Sequence, residues 1–190
     1  YAKGWFALGL THQRNGDYDS AINALGSAVE ADPTYAKALV QKGKIFMKQG
    51  DYSSAEASLN QAIQVDPSYS NAYADLGQIH VSQDRWDDAI SSLTTATALD
   101  ARLHKAWFLL AQSQNAKSSC EEAKESARSA LDVKSDYAPA QFELGMAESC
   151  LGNKTAALAA FEKARKDRSW RKNAEYEIDK IKNPEKYRNP

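Results

Sequence analysis

The stretch "GDYSSAEASLNQAIQVDPSY", residues 50–69, echoes "GDYDSAINALGSAVEADPTY", residues 16–35, at its Gly-Asp-Tyr start, its internal alanines and its Asp-Pro-x-Tyr end. Sliding the chain against itself by 34 residues sets Gly16 on Gly50, Tyr18 on Tyr52, Ala21 on Ala55, Ala28 on Ala62 and Pro33 on Pro67. Counted from Ala2, Ala36, Ser70, His104 and Ala138, position 20 of each unit reads Ala21, Ala55, Ala89, Ala123 and Ala157. Position 27 reads Ala28, Ala62, Ala96, Ala130 and Ala164. Small residues recurring at two fixed offsets mark an internal repeat, with units at 2–35, 36–69, 70–103, 104–137 and 138–171.

Within a unit the spacing predicts two helices. Trp5, Leu8, Gly9 and His12 recur every three to four residues and form one helical stripe, and Tyr18, Ala21, Leu25 and Ala28 form a second. Gly16 and Gly50 suit the positive φ that ends a helix, and the aspartate after each suits the cap of the next. In unit four Ser119 and Glu122 have the spacing of a capping box. Asp-Pro stops the second helix, because proline lacks an amide hydrogen and disfavours helical geometry before it. Gly at position 8 and Ala at positions 20 and 27 let the paired helices approach closely.

These residues resemble the tetratricopeptide repeat, whose 34-residue pattern runs W-x2-L-G-x2-Y, then Ala, a large apolar residue, Ala and Pro. Trp5, Leu8, Gly9, Tyr18, Ala21, Leu25, Ala28 and Pro33 occupy those places in unit one, and Tyr73, Leu76, Gly77, Trp86, Ala89, Leu93 and Ala96 do so in unit three. Lys42, Ala111, Ala101, Ser135 and Ser169 depart from the pattern and weaken single units without breaking the register. The resemblance implies an all-α fold, a right-handed superhelical solenoid of antiparallel helix pairs. "RKNAEYEIDKIK" keeps Ala174, Ile178 and Ile181 on one face, so 172–182 is expected to close the last unit, with 183–190 as a tail. No such cover precedes unit one, and Tyr1 matches Tyr35, Tyr69 and Tyr137 at other unit ends, which suggests at least one further repeat upstream.

Function then belongs to the positions the packing leaves free. Solenoids bind along their concave face, which the resemblance assigns to first-helix positions 2, 5, 9, 12 and 13. That face carries Lys3, Arg14, Lys37, Lys44, Lys48 and Lys105, with Phe6, Val40, Ala74, Phe108 and Phe142 in one row and Leu10, Met47, Val81 and Met146 beside them. Asn71, Gln78 and Gln112 add neutral polar groups. None of the 25 positions is Asp or Glu, and removing these six cations from a net charge of −1 leaves −7 for the rest. A row of apolar groups beside cations suits another protein or peptide, a segment with acidic residues toward units one and two and apolar anchors toward units four and five. Two readings compete with this. The phenylalanines pack between neighbouring first helices beneath an ordinary solvated lysine face, or the array is a passive spacer or oligomerisation arm of a larger enzyme or secretion assembly.

Narrower readings are disfavoured. The chaperone-tail carboxylate clamp of related proteins needs Lys and Asn where Phe6 and Leu10, or Val40 and Lys44, stand here. The asparagine ladder of others is replaced by Ala7, Gln41, Asp75, Leu109 and Glu143. His12 and His80 lie two units apart, too far for a shared metal, and read as packing residues. Asp87–Asp88 and Glu121–Glu122 suit helix N-termini. No GxGxxG, Walker, GxSxG, HExxH or CxxC string occurs, so no catalytic residue, metal or cofactor is expected. The run from Lys163 to Arg188, ten cations against five acids, reads as the wet face of the closing helix rather than a nucleic-acid site. Antiparallel packing brings Cys120 and Cys150 to one edge, where a disulfide is geometrically open, but two reduced, half-buried thiols are the favoured reading. No apolar run is long enough to span a membrane, and the compartment is left open.

Overall fold

Gly16 and Gly50 adopt φ values of +80° and +78° and end the first helices of their units. At the equivalent turns Asp84, Ser118 and Gly152 also adopt positive φ. One left-handed residue per unit reverses the chain, and the computed structural model, which describes residues 1–187, is accordingly a stack of helix pairs. First helices are α1 (Ala2–Arg14), α3 (Ala36–Gln49), α5 (Ser70–Ser82), α7 (His104–Ala116) and α9 (Ala138–Cys150). Second helices are α2 (Tyr18–Ala31), α4 (Tyr52–Val65), α6 (Trp86–Leu99), α8 (Cys120–Val133) and α10 (Lys154–Ala164). Helix α11 (Arg171–Lys182) closes the array with Ala174 and Ile178 buried against it. Beyond it Pro184–Tyr187 forms a 3-10 turn in which the Tyr187 hydroxyl donates to Asp179 at 2.7 Å, so the expected tail folds back as far as it is described. None of the described helices is long and apolar enough to cross a membrane.

Asp17 and Asp51 accept from the amides of Ser20 and Ser54 at 3.2 and 3.0 Å, the caps that the sequence suggests. The capping box of unit four is not formed, for α8 follows Ser119 with no side-chain cap bond. Helix stopping also differs from expectation. Asp32, Asp66 and Asp100 all leave the helix in extended geometry, and each accepts from the amide two residues on at 3.0 Å. The Asx-turn accompanies the stop in these three units with or without proline, and Lys134 leaves α8 in the same extended geometry with neither aspartate nor proline.

The core runs along the stack between first and second helices. Gly9, Gly43, Gly77 and Gly145 lie under Leu25, Leu59, Leu93 and Phe161, so close that a Cβ at Gly77 would sit 2.4 Å from the Leu93 side chain. In unit four the pair becomes Ala111 and Ala127, both fully buried. Ala111 is therefore a matched change rather than the weakening its departure from the pattern suggests. At the first end, Trp5 and Leu8 are 43% and 41% exposed, whereas Leu39, Leu76 and Leu110 on the equivalent stripe of later units are buried.

The cysteines are not free thiols. Cys120 opens α8 and Cys150 closes the antiparallel α9, their Cα atoms lie 6.0 Å apart, and the sulfurs are joined. That spacing is within the span of a disulfide. Cys150 is exposed rather than half-buried, which corrects the thiol reading.

Candidate peptide-binding face

Successive first helices approach one another, α3 to α5, α5 to α7 and α7 to α9, while successive second helices make no comparable approach. The stack is therefore tighter on the first-helix side, and that side is its inner face. Lys3, Arg14, Lys37, Lys48, Asn71, Gln78 and Lys105 are exposed there, and Phe6, Leu10, Lys44, Met47, Ala74, Phe108, Gln112, Phe142 and Met146 are half-buried. Val40 is 3% exposed and belongs to the core with Leu39 and Leu59, so it offers no contact surface.

The aromatic members mostly face one another. Phe6 packs on Tyr35 (ring centroids 5.2 Å apart) and Phe108 on Tyr137 (5.7 Å), so the tyrosines that end each unit tie position 5 to the next layer. Trp170, from the turn after α10, reaches both Phe142 at 5.0 Å and Phe108 at 6.3 Å. The interhelix-packing reading thus accounts for much of this row, and the chain covers part of its own apolar end. Tyr35 and Tyr137 were visible as recurrent unit ends, whereas nothing in the repeat pattern marks Trp170.

Position 6 bridges neighbouring units. The Gln41 amide donates to Gln13 at 2.6 Å, Asn115 donates to the Glu143 carboxylate at 2.7 Å, and Leu109 joins the same apolar cluster as Val81. In each case position 6 meets position 12 of the preceding unit with matching polarity. Asp75 breaks the rule, because its position-12 counterpart is Met47. Its Oδ2 is buried without a hydrogen bond and lies 3.5 Å from Lys44 Nζ. Burial pushes its pKa up to about 6, with Lys44 opposing. A cavity of about 470 Å³ opens here between α3 and α5, lined by Lys44, Met47, Lys48, Asp75, Gln78 and Val81 among others. The face described above as free of acids thus holds one carboxylate, a residue away from the positions read as its lining.

Glu143 is more deeply buried, and this pushes its pKa up to about 7, with the Asn115 bond opposing. Between its ordinary value of 4.5 and about 7 the folded chain holds a proton that the unfolded chain has released. Stability therefore falls as pH rises through that window. Glu143→Gln keeps an acceptor for Asn115, and it is expected to flatten this slope and to stabilise the chain above pH 7 by about 3 kcal/mol. Denaturant midpoints measured from pH 4.5 to 8 check it.

One Ser–His–carboxylate contact forms away from this face. His80 Nδ1 lies 3.3 Å from the Ser92 hydroxyl and its Nε2 3.9 Å from Glu56, which Arg85 already binds at 2.8 Å. Ser92 and His80 sit inside helices whose backbone N–H groups are committed to the helical ladder, so the contact has no oxyanion donors beside it. Among the described residues no group of three His, Cys, Asp or Glu is arranged to hold a metal ion.

Two family models, each described as a tetratricopeptide repeat, match residues 6–71 and 46–113, together more than half of the chain. The chain belongs to the tetratricopeptide repeat family. Tetratricopeptide repeat proteins bind other proteins or peptides and serve generally as non-enzymatic scaffolds. A crystal structure of MamA protein is 26% identical over 96% of this chain and 94% of that one, with a TM-score of 0.76. MamA from Desulfovibrio magneticus RS-1 is 19% identical over 87% and 93%, with a TM-score of 0.76. YrrB, described as a TPR protein with an unusual peptide-binding site, is 18% identical over 93% and 92%, with a TM-score of 0.77. The latter two likenesses concern this tetratricopeptide repeat fold alone. No curated protein sequence matches the chain.

Proposed function

We propose that this tetratricopeptide repeat array binds a peptide or helix of a partner protein along its inner face, centred on the cavity between α3 and α5. The observation that carries the reading is Asp75, whose buried oxygen has an ion pair with Lys44 at 3.5 Å but no hydrogen bond in that cavity. A polypeptide supplies both halves of what is missing there, a main-chain N–H for Asp75 and a carboxylate for Lys44 and Lys48. Exposed Lys37 extends the positive wall, and half-buried Met146, with the edges of Phe108 and Phe142 left by Trp170, offers apolar contact farther along. YrrB, a protein of the same fold, has a peptide-binding site, which is consistent with this use of the fold.

Lys37→Glu, Lys44→Glu and Lys48→Glu combined are expected to weaken binding of a peptide with a glutamate-rich half and a leucine-rich half at least tenfold, with helicity unchanged. Equal affinity would remove the electrostatic half of the proposal. Asp75 competes with such a ligand for Lys44, so wild-type affinity is expected to rise as pH falls through about 6. Asp75→Asn keeps an oxygen acceptor but no charge, and it is expected to bind the same peptide several-fold more tightly at pH 7.5 and without that pH dependence. Titrations at pH 5.5 and 7.5 read both effects.

A further inference from the structure

Of the cations in the C-terminal run, Arg171, Lys172, Lys180 and Lys182 are exposed on the closing helix, as the sequence suggests, whereas Lys163, Arg165, Lys166 and Arg168 precede it. Residues 163–172 hold six Lys or Arg and one acid, so this segment carries +5 and leaves −6 for the rest of the chain. Structurally it is the end of α10, the turn 165–170 and the start of α11. Of the six, Arg165 alone pairs with a carboxylate among the described residues, Glu162 at 2.6 Å, and Lys163, Lys166, Arg168, Arg171 and Lys172 are exposed without one. Elsewhere Arg85, Arg102, Lys117, Lys124 and Arg128 all meet carboxylates. Among the described residues outside the inner face, Lys42, Lys134, Lys154 and Lys182 also meet no carboxylate but are spread along the chain, whereas five such cations fall within residues 163–172.

The corner is concave. Lys163 and Lys166 stand between two cavities of about 490 and about 450 Å³, the first walled also by Arg171 and Glu175 and the second by Asp136 and Gln141. Gln141 is 6% exposed and its Oε1 has no hydrogen-bond partner. We propose that this corner is a second docking site, separate from the inner face, for an acidic segment of another polypeptide.

Three features select a polypeptide over other polyanions. The cavities are the size of a few side chains, whereas a duplex or a membrane meets a protein over a broad surface. Their walls mix cations with Glu162, Glu175, Asp136 and Asp167, carboxylates that repel any polyanion alike but can accept the backbone N–H groups that a peptide has and a phosphodiester backbone lacks. The corner also offers no stacking platform, since Trp170 is turned onto Phe108 and Phe142.

The test uses the Lys37→Glu, Lys44→Glu, Lys48→Glu chain, in which the inner face is reversed, so that failure here and failure of the groove reading are distinguishable. Fluorescent hexaglutamate is expected to bind this chain in low salt at least tenfold more tightly than six-residue oligothymidylate, and adding Lys163→Glu and Lys166→Glu is expected to reduce that binding at least tenfold. Both residues are exposed, and unchanged circular dichroism confirms the fold. The proposal is overturned if hexaglutamate binding survives the corner reversal, if the oligonucleotide binds as well as the peptide, if the chain co-sediments with phosphatidylserine vesicles, or if it self-associates through this corner by sedimentation.

Discussion

Ala127→Leu is expected to destabilise the protein by about 3 kcal/mol, and adding Ala111→Gly is expected to recover most of that loss. In units one to three a glycine lies under a leucine, and a Cβ on that glycine would sit within 2.4–2.9 Å of the leucine side chain. Unit five pairs Gly145 with Phe161 in the same way. Unit four alone has a methyl on each side, Ala111 and Ala127, both at 0% exposure. A leucine at 127 therefore meets the Ala111 Cβ in the geometry that the other units avoid, inside a core that cannot give way without separating α7 from α8. The mirror experiment, Gly77→Ala, is expected to cost a similar amount, because its Cβ would fall 2.4 Å from Leu93. Urea titrations of the two single changes and the double change measure the coupling, and strictly additive effects would show that the two positions do not face each other.

Removing the bond between Cys120 and Cys150 is expected to cost about 3.5 kcal/mol, from the entropy that a bridge spanning 30 residues takes from the unfolded chain. The bridge joins the start of α8 to the end of α9 and so crosses the junction between units four and five. In a stack held by nearest-neighbour contacts, the loss is expected to appear first as earlier unfolding of α9 to α11, read by hydrogen exchange. Cys120→Ser with Cys150→Ser, or wild type in reductant, tests it. A purified chain whose mass is unchanged by reductant and which unfolds alike in both conditions would contradict the bridge.

The repeat register made most of the fold legible. Gly16, Ala21 and Ala28 act through local rules of turn and close packing that every unit repeats, whereas the Asp17 cap recurs only at Asp51. Proline was credited with the stop because it accompanies aspartate in units one and two, but α6 ends at Asp100-Ala101 and α8 at Lys134-Ser135 in the same extended geometry without it. Ala111 looked like a defect because its compensation, Ala127, lies 16 residues away on the other helix. The binding face was less legible. Lys44 and Lys48 were placed on the proposed face by register alone, but Asp75 and Trp170 were not, since each acts across units and departs from the repeated pattern. Val40 was misassigned because it packs into the cluster of Leu39 and Leu59, a contact that its register position does not show.

The central claim, that the inner face at α3 and α5 is where a partner segment binds, is tested most directly by following backbone amide resonances while titrating the glutamate-rich and leucine-rich peptide. The account predicts saturable shifts at Lys44, Lys48, Asp75 and Gln78 on first helices, lost in the triple lysine reversal. Shifts confined to the second helices α4, α6 and α8, with these four residues unmoved at saturation, would contradict it.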